Sequence, residues 1–281
     1  MNYKELWGSP HPGHIIYLLD MSGSMYNQDF GCRINHAVES IELGISDILA
    51  KCYNSDTGKV SKRCWITVIG YGCEEGIEGV KILRKGMVDS WENDILKNQN
   101  EGTPLFEIGT DGYWTPMAEA FRLAEKCLLK TREKIREEMD NPNPNREKAI
   151  MGVGEPVVVN VTDGRIIDFE LIDGYAEEVR KAAEDLMNAY QDEGGHVHLF
   201  NAHFGNGKKN LLPSDKGALE GDPEAEFLFD ISSKLTEDGV KAAKRIWTKD
   251  GLKIMADCRG YVANADTDTV EKLIRYGSTI A

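Results

Sequence analysis

Two stretches of this chain are apolar almost without interruption, and each runs straight into an aspartate: HIIYLLD at 14–20 and PVVVNVTDG at 156–164. A strand with one wet face alternates apolar and polar residues, whereas a strand covered on both faces reads as a continuous Val, Ile and Leu run. These runs therefore point to a parallel sheet with helices on both sides. A third β-branched run, CWITVIGYG, occupies 64–72, and HVHLFNAHF follows at 196–204. Helical patterns separate them. Residues 34–53 bring Ile34, Val38, Ile41, Ile45, Ile48 and Leu49 to one face. A second helix is expected over 116–139, where Thr115-Pro116 reads as a cap followed by a helix-starting proline. A third is expected over 175–190. Strand and helix in alternation predict an α/β fold, a doubly wound, Rossmann-like and mostly parallel sheet with helices on both faces. Its central strand is expected at 14–20, with parallel neighbours at 64–72, 157–162 and 196–202. Right-handed crossovers then align the C-terminal strand ends along one edge of the sheet.

The remaining segments are placed around that frame. The irregular, Gly-rich stretch after residue 73 is expected to hold an edge strand near 79–89 and a short helix near 91–97. NPNPN at 141–145 and LLPSDKGALEGDPE at 211–224 read as loops. The C-terminal part reads as a helix over 224–247, a strand over 260–265 and a last helix over 269–276 capped by Asp268 or a neighbour. The expectation is one domain over 1–281, with a peripheral insertion at about 74–114 and a C-terminal extension at about 224–281. With 281 residues and 41% hydrophobic residues, the chain can bury a sizeable core.

The formal net charge is -14. Nucleic acid is a poor partner for such a chain, because binding it needs clustered Lys and Arg to displace counterions. No apolar stretch reaches the length of a membrane span, and residues 1–12 lack the basic start and apolar run of a signal peptide. The cysteines, Cys32, Cys52, Cys64, Cys73, Cys127 and Cys258, are scattered without a CxxC pair. They read as free thiols in a reducing compartment, so a cytoplasmic protein is expected.

The chemistry concentrates at the strand ends. The first strand runs into Asp20-Met21-Ser22-Gly23-Ser24, which sets one carboxylate and two hydroxyls on a single tight loop. Hard cations such as Mg2+ take oxygen ligands and retain waters. By average composition, such an Asp-x-Ser-x-Ser motif arises by chance in roughly one chain of this length in fifteen. Its place directly after a buried strand makes chance a weaker account. Alone, Asp20 and the serines would suit a helix-capping turn, and Asp163-Gly164 in VVNVTDG would suit an ordinary turn.

Taken together, these residues resemble the von Willebrand factor A family and its metal-ion-dependent adhesion site, which combines Asp-x-Ser-x-Ser, a threonine from a second loop and an aspartate from a third. The resemblance implies metal ligation by Asp20, Ser22, Ser24 and Asp163. For the second loop it offers Thr115, in TPMAEAF, or Thr103, in TPLFEIGT. Thr115 is preferred because its segment runs on into a helix, whereas Gly109 and Asp111-Gly112 soon interrupt the other. Trp114 stands where many relatives have Gly. The C-terminal FLFDISSKL and RGYVANADTDTVEKLI resemble intracellular bacterial members, including tellurite-resistance-associated ones. The resemblance implies Mg2+, with Ca2+ or Mn2+ as alternatives, and a partner protein that supplies a Glu or Asp to the ion. It also implies an adaptor role in a bacterial signalling or stress and conflict system. Loops at 25–31, 102–114 and 164–172 would select the partner.

Other groups read as structural. His11 with His14, and His196, His198 and His203, lack a supporting carboxylate or cysteine motif. Alternation would send His196 and His198 to one face. KCLLKTREK, from Lys126 to Lys134, sits among Glu125, Glu133 and Glu137 and reads as a solvated helix face. DTDTVE at 266–271 lacks the glycine of a calcium loop, and GNGKKN at 205–210 lacks phosphate-loop spacing. The alternative function is a Mg2+-dependent phosphoester hydrolase with Asp20 at its active site. Such phosphatases need a second Asp two residues on, where Ser22 stands.

Overall fold

The computed structural model describes residues 3–4, 7–27, 32–72, 79–109, 112, 114–143, 148–164, 174–205, 208–219, 221–248, 251–252, 254–255 and 257–280. The main sheet is built from β1 (Gly13–Asp20), β2 (Cys64–Tyr71), β3 (Val80–Met87), β4 (Val157–Thr162), β5 (His198–His203), β6 (Asn210–Leu211) and β7 (Tyr261–Ala263). Its seven strands lie in the order β6-β7-β5-β4-β1-β2-β3. The five inner strands are parallel, and the edge strands β3 and β6 are antiparallel to their neighbours. β1 pairs with β2 on one side and β4 on the other, as the apolar runs predict. The run at 196–204 joins the sheet beyond β4, and 79–89 supplies the edge.

Eight helices are labelled here: α1 (Gly23–Tyr26), α2 (Arg33–Cys52), α3 (Glu92–Glu101), α4 (Met117–Asp140), α5 (Tyr175–Asn188), α6 (Pro223–Asp230), α7 (Glu237–Ile246) and α8 (Thr267–Ile280). Every residue of β1 is buried, and its side chains divide between two cores. Ile15, Tyr17 and Leu19 pack with Ile41 and Ile45 of α2, Ala243 of α7 and Leu273 of α8. Ile16 and Leu18 pack with Phe121 of α4, Val179 of α5 and Leu228 of α6. Alternation along the strand sends neighbours to opposite faces, so an unbroken apolar run is what a two-sided core requires.

The sequence pattern misleads at three places. The helix expected over 224–247 is two helices. Asp222 caps α6 by accepting from the Glu224 and Ala225 amides. The chain then leaves the helix so that Ser233 can bond Leu199 at the start of β5, through its amide and its hydroxyl. Thr236 starts α7 by accepting from the Gly239 amide at 3.0 Å. The last helix begins two residues earlier than expected, and Asp266 caps it by accepting from the Thr269 amide, while Asp268 pairs with Lys272. His196 precedes β5 and is exposed, whereas His198 is buried against Glu155 at 3.1 Å, so the two do not share a strand face. Of NPNPN, residues 144–145 lie outside the described residues, as does Cys73. The described cysteines Cys32, Cys52, Cys64, Cys127 and Cys258 carry free thiols. Among the described residues, no helix is long and apolar enough to cross a membrane.

Candidate metal centre

The C-terminal ends of β1 and β4 lie side by side, with Leu19 opposite Val161. Beyond β1 the backbone is held by its neighbours. The Met21 amide donates to the Tyr71 carbonyl at 2.7 Å. The Gly23 amide donates to the Gly112 carbonyl at 2.9 Å and the Gly112 amide donates to the Met21 carbonyl at 3.2 Å. Asp20 Oδ1 accepts from the Ser22 amide at 2.9 Å, a side-chain-to-backbone turn that fixes the loop. Ser22 occupies the cap position of α1 but makes no side-chain cap bond. Its Oγ lies 3.2 Å from Ser24 Oγ instead. Gly72 closes this corner at φ +78, where a Cβ would sit 2.6 Å from the Trp114 carbonyl and 3.0 Å from the Ser22 amide. A side chain there would collide with backbone on two sides.

That corner brings Gly112 and Trp114 to the Asp20 loop. Thr115 is fully buried. It does not cap α4, which has Pro116 at its cap position and starts at Met117. The Met117 amide donates back to the Thr115 carbonyl at 2.7 Å, and Pro116 sits at φ -73 and ψ 63, an inverse γ-turn. Tyr175 donates its hydroxyl to the same carbonyl at 3.3 Å. Thr103 is exposed after the end of α3, where its carbonyl accepts from the Asn98 side chain at 3.0 Å. Thr115 follows Trp114, whose carbonyl packs with Ser22 around Gly72, whereas Thr103 is exposed beyond α3.

Asp20 Oδ2 accepts from Thr162 Oγ1 at 2.6 Å, which ties the end of β1 to β4. Asp163 follows Thr162 and is held at two points. Its carbonyl lies 2.9 Å from His203 Nε2, whose partner nitrogen Nδ1 lies 3.1 Å from the Tyr261 hydroxyl. A carbonyl can only accept, so Nε2 carries the proton and Tyr261 donates to Nδ1. Burial holds this imidazole below its ordinary pKa. The Asp163 carboxylate takes a 3.0 Å ion pair from Arg33, with both side chains buried. Arg33 opens α2, where the helix dipole already favours an anion.

Electrostatically the centre is an acidic pair under strain. The Asp20 carboxyl is pushed up to about 7, first by burial and then by the charge of Asp163, against the lowering bonds from Thr162 and Ser22. A cation near both carboxylates would relieve that repulsion. The donors are all oxygens, two carboxylates with three hydroxyls, which suits a hard cation. Among the described residues no group of three or more His, Cys, Asp or Glu is placed to hold a metal ion, so any ion here would rest largely on hydroxyls and water.

Sequence reasoning missed Arg33 and a buried polar chain below the centre. Tyr71 donates to Asn160 at 2.8 Å, Asn160 to Asn201 at 2.9 Å, and Asn201 to Ser232 at 2.9 Å. This chain crosses β2, β4 and β5 and satisfies polar groups inside an otherwise apolar sheet. Of the loops expected to select a partner, residues 28–31, 110–111, 113 and 165–172 lie outside the described residues.

No protein-family model matches this chain, and no curated protein matches it. Its fold is similar to solved pilus proteins. A crystal structure of the pilus adhesin SpaC from Lactobacillus rhamnosus GG matches with a TM-score of 0.51 at 13% identity, over 96% of this chain and 31% of that one. The PilB minor pilin from Streptococcus sanguinis gives 0.46 at 9% identity, over 95% of this chain and 60% of that one. The three N-terminal domains of the type V pili tip protein Mfa5 from Porphyromonas gingivalis give 0.33 at 16% identity, over 55% of this chain and 20% of that one. This chain thus spans less than two thirds of each of those proteins. The SpaC likeness bears on the fold alone.

Proposed function

We propose that this chain is a von Willebrand factor A-type domain that holds Mg2+ and through it binds a partner protein. The observation that carries the reading is the Asp20 loop. A fully buried carboxylate and two serine hydroxyls 3.2 Å apart stand at the end of an inner strand, beside Thr115 and the strand-end Asp163. Asp20, Ser22, Ser24, Thr115 and Asp163 would hold the ion, directly or through water, and Ca2+ or Mn2+ would suit the same oxygens less selectively. The ion supplies Lewis acidity. Three of the five residues are neutral, and Arg33 offsets the charge of Asp163. A partner Glu or Asp therefore meets a cation whose charge is not fully compensated.

The binding reading is favoured over phosphoester hydrolysis by the donor set. Ser22 stands where a second Asp would be needed as general acid, and its hydroxyl is engaged with Ser24. The free thiols support a cytoplasmic adaptor. The test is affinity capture from the native cell with wild type, with Asp20→Ala, and with wild type in EDTA. The reading expects one set of partners that disappears in both the mutant and the EDTA arm. Retention of the same partners by the folded mutant would overturn it. Mg2+-dependent phosphoester hydrolysis lost in Asp20→Ala would replace it with the enzyme.

A further inference from the structure

We propose that a cavity under α4, at the N-terminal end of the sheet, binds a phosphate-bearing small molecule. The cavity measures about 340 Å3, which is within the range of small-molecule sites. Its floor is His14, Trp65 and Thr67 from β1 and β2, and Lys85, Lys130 and Lys134 line it from β3 and α4. No carboxylate lines it. In a chain of net charge -14 that concentration of lysine needs a reason. Lys51, Lys62, Lys209, Lys216, Lys241 and Lys272 each pair with a carboxylate. Among the described residues, Lys85, Lys130 and Lys134 form no such pair, and neither do Lys59, Lys81, Lys97 or Lys244; what sets the three apart is that they line one cavity. Lys130 and Lys134 are one helical turn apart on the solvated face of α4, and Lys85 lines the same cavity from the edge strand.

The second observation is on the floor. His14 is 4% exposed, and its Nε2 lies 2.9 Å from Thr67 Oγ1. Its Nδ1 is buried without a hydrogen-bond partner. A buried polar atom left unsatisfied costs about 1–3 kcal/mol, so a ligand atom that reaches it gains by the contact. Burial, and then the charge of Lys134, keep this imidazole neutral, with its pKa at about 3. When the Thr67 hydroxyl donates to Nε2, Nδ1 carries the proton, and a ligand oxygen reaches it only where the side chains covering it shift.

The donor set favours phosphate over carboxylate. Lysines act as independent point charges that suit the tetrahedral oxygens and double charge of a phosphate monoester. A planar carboxylate is better matched by an arginine fork, and no arginine lines the cavity. Trp65 and Met87 give an apolar wall for the organic part of the ligand. The site is separate from the metal centre: His14 and Asp20 are six residues apart on β1, about 20 Å at ~3.3 Å per residue.

The experiment is isothermal titration calorimetry of the whole chain in EDTA, with AMP, pyrophosphate and citrate as probes. AMP and pyrophosphate are expected to bind with Kd below about 1 mM, and citrate at least about tenfold more weakly. Lys130 and Lys134 are exposed, so Lys130→Glu with Lys134→Glu should fold, which circular dichroism checks. This double variant should lose at least about tenfold in AMP affinity, while Asp20→Ala leaves it unchanged. The proposal is overturned if neither phosphate compound binds at about 10 mM. It is equally overturned if citrate binds as tightly as AMP, or if the folded double variant binds like wild type.

Discussion

One strand, β1, ends in opposite chemistry. At Asp20 the carboxyl is buried and held by the Ser22 amide, the Thr162 hydroxyl, and loop bonds to Tyr71 and Gly112. At His14 the positive charge sits on long exposed lysines above a neutral imidazole. The first end is preorganised by the sheet and should select by ion size and oxygen geometry. The second is assembled from flexible side chains and should bind more loosely, with a strong dependence on salt. On the two proposals made above, the doubly wound sheet would separate two binding tasks. Strand ends and tight loops give fixed donors, while a helix laid over the sheet gives an adjustable rim.

The largest expected effect concerns Arg33, the partner of Asp163 at the acidic end. Arg33→Met removes the buried partner of Asp163, and breaking such a pair costs about 3–5 kcal/mol. Urea unfolding in EDTA should show that loss, and saturating Mg2+ should restore part of it. Equal stability of variant and wild type in EDTA would mean that the ion pair does not hold Asp163.

A smaller effect separates the two threonines. Thr115→Ala should weaken Mg2+ binding by about tenfold, the worth of one contact, and Thr103→Ala should leave it unchanged, since Thr103 is exposed beyond α3. Similar losses in both variants would remove the basis for choosing between the loops.

The smallest effect in the wild type is its net pH dependence, because two opposing slopes largely cancel. The folded Asp20 carboxyl titrates at about 7 against an ordinary 3.8, so between those values the folded state holds more protons and stability falls as pH rises. The folded His14 titrates at about 3 against an ordinary 6.5, so between those values the unfolded state holds more protons and stability rises with pH. In EDTA, Asp20→Asn should remove the first slope and His14→Phe the second, read from urea midpoints across pH 4–7. Variants that flatten the same slope would show that the two ends do not titrate independently.

Much of this was legible because local pattern and burial agree. The unbroken runs at 14–20 and 156–164 are both-face strands, and the amphipathic residues from Ile34 to Leu49 form α2. The Asp20 loop was legible because it is one short motif after a strand. Arg33 was hidden because its partner lies 130 residues away, although a cation in the first turn of a helix, against the dipole, was a usable signal. The break between α6 and α7 was hidden by a helical pattern continuous across it. The bond that forces the break reaches Leu199, and only the cap residue Thr236 marks it locally. Lys85 with Lys130 and Lys134 was hidden because periodicity along α4 says nothing about the edge strand opposite.

Mg2+ titration by calorimetry tests most directly whether the Asp20 loop is a cation site. Wild type should bind one Mg2+, while Asp20→Ala and Ser22→Ala, both folded by circular dichroism, should each lose more than about tenfold in affinity. Unchanged Mg2+ affinity in both variants would contradict the account.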